Sequence, residues 1–239
     1  MIIAERINNL AGTKRPSFPS DLALISVIAS KKLEMDVLDG RALIKIIKLI
    51  FDETSSQAGF QDTKVKALTT KFRDAGRRSA PWKPTSSRVP GRPQDGSDGN
   101  RIARWKLPED HKFYANEVNA TLVEVKYYLQ ALSMLNAPET SSYGITKIFT
   151  PWLIKHHVSP GDYLDPIQRV KIDFLDVLND PRLIQSGHLD PLDRDGTHIP
   201  SNTYLLLARS NQIQGNMKIE ELIDLMSTIV QEHKLNPFS

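Results

Sequence analysis

A short stretch in the carboxyl-terminal part of the chain holds the residue types that acid–base and cation chemistry require. Residues 186–216 read SGHLDPLDRDGTHIPSNTYLLLARSNQIQGN. A histidine such as His188 has an ordinary pKa of about 6.5, so its imidazole is largely neutral near pH 7 yet can still take a proton. Carboxylate and amide oxygens, which this stretch also supplies, are hard ligands suited to Mg²⁺. The stretch could therefore combine a general base with a cation site.

The residue pattern of this stretch predicts a strand, a loop, a second strand and a helix, in that order. Residues 183–189 and 203–207 have the composition of short strands, and residues 191–200 form a polar loop rich in turn-forming residues. Ser210 is in a position to cap a short helix that Gly215 would end. We therefore expect a pair of strands followed directly by a helix.

This arrangement resembles the HNH, or ββα-metal, family of nucleases. The matching positions are His188, Leu189, Asp190 and Pro191, then Gly196, then Asn202 before the second strand, then Asn211 with Gln214 and Gly215. The resemblance implies a metal-dependent endonuclease that hydrolyses DNA phosphodiester bonds, with a type II restriction enzyme as the narrower expectation. It also implies a ββα element that packs on the surrounding helices.

The resemblance assigns roles that fit the chemistry of phosphodiester hydrolysis, which needs a base, a Lewis acid and a rigid frame. It implies that His188 is the catalytic general base and that Asn202 pins the loop that orients it. Asn211 is implied as a ligand of a divalent ion, Mg²⁺ or Mn²⁺. DNA is the implied partner, and cutting both strands of a duplex favours a homodimer.

One position departs from the family pattern. The residue directly before the catalytic histidine is usually an acidic metal ligand, and this chain has Gly187 there. Asp190 is the expected substitute, with Asp193, Asp195 and His198 as further candidates. These carboxylates could equally be turn-forming residues of a polar loop. Two alternatives stay open: a degenerate HNH fold that only binds nucleic acid, and a helical interaction protein whose resemblance is accidental.

A basic segment lies upstream of this element. Residues 64–106 contain twelve Lys and Arg against three Asp, with many Gly and Pro residues and little apolar periodicity. We predict a flexible segment that grips phosphates, with Trp82 or Trp105 available to stack on a base. A solvated linker that binds nothing is the alternative. The candidate nucleic-acid contacts, including two arginines beyond this segment, are Arg77, Arg78, Lys83, Arg88, Arg194 and Arg209.

The rest of the chain has helical periodicity, so the predicted fold class is α+β and mainly helical. The predicted helices are 21–34, 41–52, a long helix from about Pro108 to Asn136, and 166–178 capped by Asp165. The predicted regions are an N-terminal helical region (1–63), the basic flexible segment (64–106), a second helical region (107–180) and the HNH-like element with a C-terminal helix (181–239).

The composition excludes several classes of site. The chain has no cysteine, so disulfides, thiol nucleophiles and thiolate zinc sites are excluded. Its longest uncharged apolar stretch, residues 22–30, is far shorter than the roughly 20 residues that cross a bilayer. Residues 1–10 lack the apolar run of a signal peptide. We therefore expect a cytoplasmic protein without membrane contacts.

Overall fold

The computed structural model describes residues 22–79, 101–139, 143–150 and 152–235, and it confirms the mainly helical α+β class. Its helices in these ranges are α1 (Leu22–Ser30), α2 (Val37–Gln57), α3 (Asp62–Gly76), α4 (Glu117–Ala131), α5 (Tyr143–Phe149), α6 (Phe174–Asn179), α7 (Ala208–Gln214) and α8 (Ile219–Leu235). Its strands are β1 (Arg78–Ser79), β2 (Ile102–Ala103), β3 (Ile184–His188) and β4 (Thr203–Leu207). They form two separate antiparallel pairs, β1 with β2 and β3 with β4.

The core lies where α2, α3 and α4 pack together. Phe51 on α2 and Phe72 on α3 both contact the Tyr128 ring on α4, with ring centroids 5.2 and 5.1 Å apart, respectively. All three side chains are fully buried, and such edge-on aromatic contacts add to the gain from burying their apolar area. Helix α4 is buried along most of its length. It therefore forms the central support for the surrounding elements.

The predicted strand–loop–strand–helix element is present at residues 184–214. In the β3–β4 pair, Gly187 lies opposite Tyr204 and His188 opposite Thr203, and α7 follows β4 directly. Two side chains of α4 hold this element from below. The buried Lys126 ammonium donates to the Pro200 carbonyl at 2.6 Å, and the amide oxygen of Gln130 accepts from Leu205 N at 3.0 Å. The element is thus docked on the helical core.

The basic segment starts as regular structure, which corrects part of the sequence prediction. Residues 64–76 belong to α3, because Val65, Leu68 and Phe72 recur at helical spacing and bury their side chains in the core. Immediately after α3, β1 pairs with β2, so that Arg78 lies opposite Ala103. Residues 80–100, the middle of the predicted flexible segment, lie outside the described residues.

Three predicted helix positions are wrong. The long helix begins at Glu117 rather than near Pro108, because the Asn116 side chain caps it there. The predicted 166–178 helix is replaced by the shorter helix Phe174–Asn179, since the preceding residues turn back and Leu164 pairs with Lys171 in a short antiparallel bridge. Ser210 lies inside α7 and does not cap it.

Helix α8 is the most exposed helix of those described. It buries only Leu222 and leaves Ile223, Met226 and Val230 about half exposed, at 57%, 48% and 49% of their surface. Among the residues that the structure describes, no helix is both long and apolar enough to span a membrane.

Candidate active site and nucleic-acid interface

A cavity of about 370 Å³ opens where the end of α3 meets the ββα element. His188 from β3 and Asn211 from α7 both line it, although they are far apart in the chain. The opposite wall is basic and includes Arg78, Arg101 and Arg104. The structure therefore brings the predicted base and the predicted amide ligand to one solvent-accessible space, beside a concentration of positive charge.

The imidazole of His188 is oriented by a second histidine. His198 Nε2 lies 2.7 Å from the carbonyl oxygen of Gly76, at the end of α3. A carbonyl can only accept, so this nitrogen carries the proton and His198 Nδ1 is an acceptor. His188 Nε2 lies 3.0 Å from that acceptor and must donate to it. The basic lone pair of His188 is therefore on Nδ1, which has no hydrogen-bond partner in the described residues and is not a buried atom.

Burial, together with the positive charge of Arg104 as the second cause, lowers the pKa of His188 to about 4. Burial also lowers the pKa of His198 well below its usual range, again with the Arg104 charge as the second cause. Both rings are therefore neutral near pH 7. Neutral imidazoles are what the two-histidine hydrogen-bond chain requires.

The side chain of Asn202 is hydrogen-bonded to the backbone of the loop between the two strands. Its amide oxygen accepts from Asp190 N at 2.8 Å, and its nitrogen donates to the carbonyls of Asp190 and Thr197, each at 2.9 Å. Gln214 on α7 fixes the other side of the loop by donating to the His188 carbonyl at 2.8 Å. The backbone from His188 to Asp190 is thus held by buried side-chain amides.

Asn211 presents one oxygen to the cavity. Its nitrogen donates to the side-chain oxygen of Gln185 at 2.8 Å, and its Oδ1 accepts no hydrogen bond from any described residue. The position before the histidine gives no second ligand. A Cβ built on Gly187 would lie 2.1 Å from Cδ2 of the buried Leu206, so a side chain there requires Leu206 to move.

The donors at the cavity do not fit a resident divalent ion. Asp190 does not line the cavity, and Asp74, which does, lies 3.2 Å from Arg73 Nε and 3.7 Å from a guanidinium nitrogen of Arg78. Asp193 pairs with Lys112 at 2.5 Å. Across the described ranges, no group of three or more His, Asp or Glu side chains is arranged to hold a metal. One neutral amide oxygen and carboxylates already paired with cations make a poor Mg²⁺ site.

A basic groove adjoins the cavity. It shares Arg78 and Arg101 with the cavity and continues over Arg77 and Trp105. The Arg77 guanidinium lies 5.5 Å from the centre of the Trp105 ring, and its Nε is 3.7 Å from the buried carboxylate of Glu124. The groove therefore has both cationic and aromatic groups, which are the two components of a nucleic-acid track.

The remaining predicted contacts are spread more widely. Arg194 is paired with Glu221, and Arg209 is exposed on α7; neither lines the cavity. Lys83 and Arg88 lie outside the described residues. Ser79 and Arg101, the described residues nearest to that part of the chain, both line the cavity.

Sequence reasoning missed three residues that build this site: Gly76, Arg104 and Gln214 in its structural role. It considered His198 only as a metal ligand. A glycine at the end of a helix and an arginine among twelve basic residues have no distinctive local pattern. Their roles depend on contacts between segments that are 28 to 122 positions apart, so only the fold could reveal them.

The chain is thus a mainly helical α+β protein that carries a basic cavity beside its ββα element. No protein-family model matches the chain, and no curated protein matches it. A solved structure of a type II restriction endonuclease is similar in fold, with a TM-score of 0.43 and 17% identity; the match covers 56% of this chain. It spans 62% of that enzyme, which is less than two thirds of its length. At this level the likeness does not place the chain in a family.

Proposed function

We propose that this protein is an endonuclease of the HNH type that hydrolyses DNA phosphodiester bonds in the cavity beside β3. The observation that carries the proposal is the two-histidine chain: His198, fixed by the Gly76 carbonyl, leaves the free lone pair of His188 on Nδ1. The fixed, neutral imidazole can take the proton of a water molecule that attacks a bound phosphate, because the negative charge of that phosphate raises the pKa of His188 above its ligand-free value of about 4.

The charges of the cavity support the same chemistry. As His188 Nδ1 takes a proton from water, the water oxygen bonds to phosphorus and the bond from phosphorus to one ester oxygen breaks. That ester oxygen leaves with the bonding electron pair and takes a proton from solvent. The new imidazolium would be disfavoured by the nearby Arg104 charge, but the bound phosphate brings negative charge that offsets it. Fixed guanidinium groups stabilise the charge that builds on the phosphoryl oxygens.

The predicted dependence on Mg²⁺ or Mn²⁺ is not carried into this proposal, because the donor set described above does not fit a resident ion. Every step above therefore uses the chain's own residues. Cutting both strands of a duplex usually takes two sites related by a two-fold axis, so we include a homodimer in the proposal. Sedimentation equilibrium should then give twice the mass of one chain.

The test is nicking of supercoiled plasmid with Mg²⁺, with Mn²⁺ and with chelator. We expect His188→Ala to lower the cleavage rate by about 100-fold or more. The matched control is His157→Ala, which removes an imidazole exposed to solvent and should cleave like the wild type. Equal cleavage by the wild type and His188→Ala would remove the proposed base.

A second function is favoured by one observation: Leu206 occupies the space where a ligand on Gly187 would begin. The element could then bind nucleic acid without cutting it. Tight, salt-dependent DNA binding with no cleavage under any of the three conditions would support this function over the first. Absence of both binding and cleavage would exclude both.

A further inference from the structure

We propose that Arg104 binds a phosphate of the nucleic-acid backbone in the cavity, at a site built around a buried guanidinium that has no counter-ion among the described residues. The inference deepens the proposed function, because it names the group that holds the substrate beside His188.

Arg104 is an unusual arginine in its burial. Only 8% of its surface is exposed, and no Asp or Glu lies within ion-pair distance of it in the described part of the chain. Burying a charge without a partner is costly, so buried cations are normally paired. Burial lowers the pKa of Arg104 to about 10, and no carboxylate contributes to raise it. An anionic ligand would supply the missing partner.

The backbone holds the guanidinium in one orientation. Nε donates to the Gly76 carbonyl at 3.2 Å, while the two terminal nitrogens donate to Phe113 O at 3.1 Å and Ala75 O at 3.3 Å. The carbonyls of Ala75 and Gly76 end α3, where carbonyls lack partners within the helix and favour a nearby cation. A guanidinium has five N–H groups, so two stay available. Such a preorganised fork matches a phosphate oxygen pair.

Further basic side chains of the cavity add to the positive charge of Arg104. Arg101 and Arg78 are exposed and line it together with Arg104. The two carboxylates in its wall, Asp74 and Asp193, are already paired with cations. His188 lines the same space, so a phosphate on Arg104 lies within the cavity that contains the proposed base.

The test uses inorganic phosphate and a short DNA duplex, both in chelator, so that it does not depend on cleavage. Phosphate should shift the His188 ring resonance of the wild type saturably; the resonance is assigned by its loss in His188→Ala. The duplex should displace the phosphate, so that the His188 ring resonance moves from its phosphate-bound position to a duplex-bound position. No phosphate shift, or a duplex that does not compete, would overturn the proposal.

Variants then identify the residue. Arg104→Lys keeps the charge but loses the fork, and should weaken phosphate binding at least tenfold. Arg101→Gln should weaken it several-fold. Arg41→Gln is the control for Arg101→Gln, because it also replaces an arginine by glutamine. Arg41 forms an exposed ion pair with Glu117 away from the cavity, so this variant should bind phosphate as the wild type does. Wild-type affinity in Arg104→Lys would overturn the proposal.

If Arg104→Lys does not fold, Arg101→Gln and the wild-type titration decide. A negative result in the phosphate titration would overturn the phosphate site on Arg104 but not the nicking result for His188→Ala. A negative result in the nicking assay would remove the proposed base but not the phosphate site.

Discussion

The buried carboxyl of Glu124 should make the free energy of unfolding depend on pH in a defined way. Glu124 lies on α4 with 3% of its surface exposed. Its Oε2 has no hydrogen-bond partner among the residues that the structure describes, and Arg77 Nε is 3.7 Å away from it. Burial is the largest effect and raises the pKa of Glu124 from 4.5 to about 7, although Arg77 opposes it. The folded state thus holds a proton that the unfolded state releases.

The free energy of unfolding depends on pH because Glu124 binds its proton more tightly in the folded state than in the unfolded state. Below about pH 4.5 both states are protonated and Glu124 imposes no penalty. Between pH 4.5 and 7 only the unfolded chain loses the proton, so stability falls as pH rises. Above pH 7 the full penalty is present. A difference of two and a half pKa units corresponds to about 3 kcal/mol at pH 8 and less than about 1 kcal/mol at pH 5.

Glu124→Gln removes this penalty while keeping the shape of the side chain. Urea unfolding should show that the variant is more stable than the wild type by up to about 3 kcal/mol at pH 8 and nearly equal to it at pH 5, with unchanged m-values. Glu53→Gln, at an exposed position of α2, is the control and should show no such divergence. Equal stabilisation at both pH values, or destabilisation at pH 8, would refute the reasoning.

Three further predictions concern the frame of the site. Gly76→Ala should destabilise the protein by about 1–3 kcal/mol in urea unfolding, because a Cβ there would lie 2.9 Å from the Glu124 backbone; unchanged stability would mean that α3 and α4 do not pack this closely. Asn202→Ala removes three hydrogen bonds of the loop and should cost about 1–3 kcal/mol, with a loss of protection of the Asp190 amide in hydrogen exchange. His198→Ala should lower kcat for cleavage while KM stays near the wild-type value, because His198 orients the base without touching substrate; a change in KM alone would argue for a structural role.

The sequence predicted the ββα element well because its pattern is local. Alternating strand residues, a turn-rich loop and Gly215 each indicate structure within a few positions, and the strand 203–207 was placed as the structure has it. Residues 166–173 were predicted as helix from similar local evidence and are not helical. There the backbone follows long-range pairing instead: Leu135 N donates to Ile172 O at 2.9 Å, which no window of sequence around 166–178 could indicate.

The candidate site was predicted only in part for the same physical reason. The resemblance predicts that Asn202 pins the loop, and in the structure its side chain is hydrogen-bonded to the loop backbone. Arg104 was counted within a flexible basic segment, but a cation acquires a fixed role only when other segments surround it. Its partners Ala75 and Gly76 come from the end of α3, and its partner Phe113 comes from the loop that precedes α4.

The end of α3 therefore completes the ββα element. Gly76 O accepts from both His198 Nε2 and Arg104 Nε, so one carbonyl fixes the orientation of the proposed base through His198 and of the proposed phosphate ligand directly. This carbonyl is available because a helix end leaves it without an internal partner, and it lies close to α4 because Gly76 has no side chain. Residues 181–239 on their own would lack Gly76, Arg104 and the support of α4. The helical core is thus part of the frame of the proposed site, and a change that displaces the end of α3 should alter the proposed base and the proposed phosphate site together.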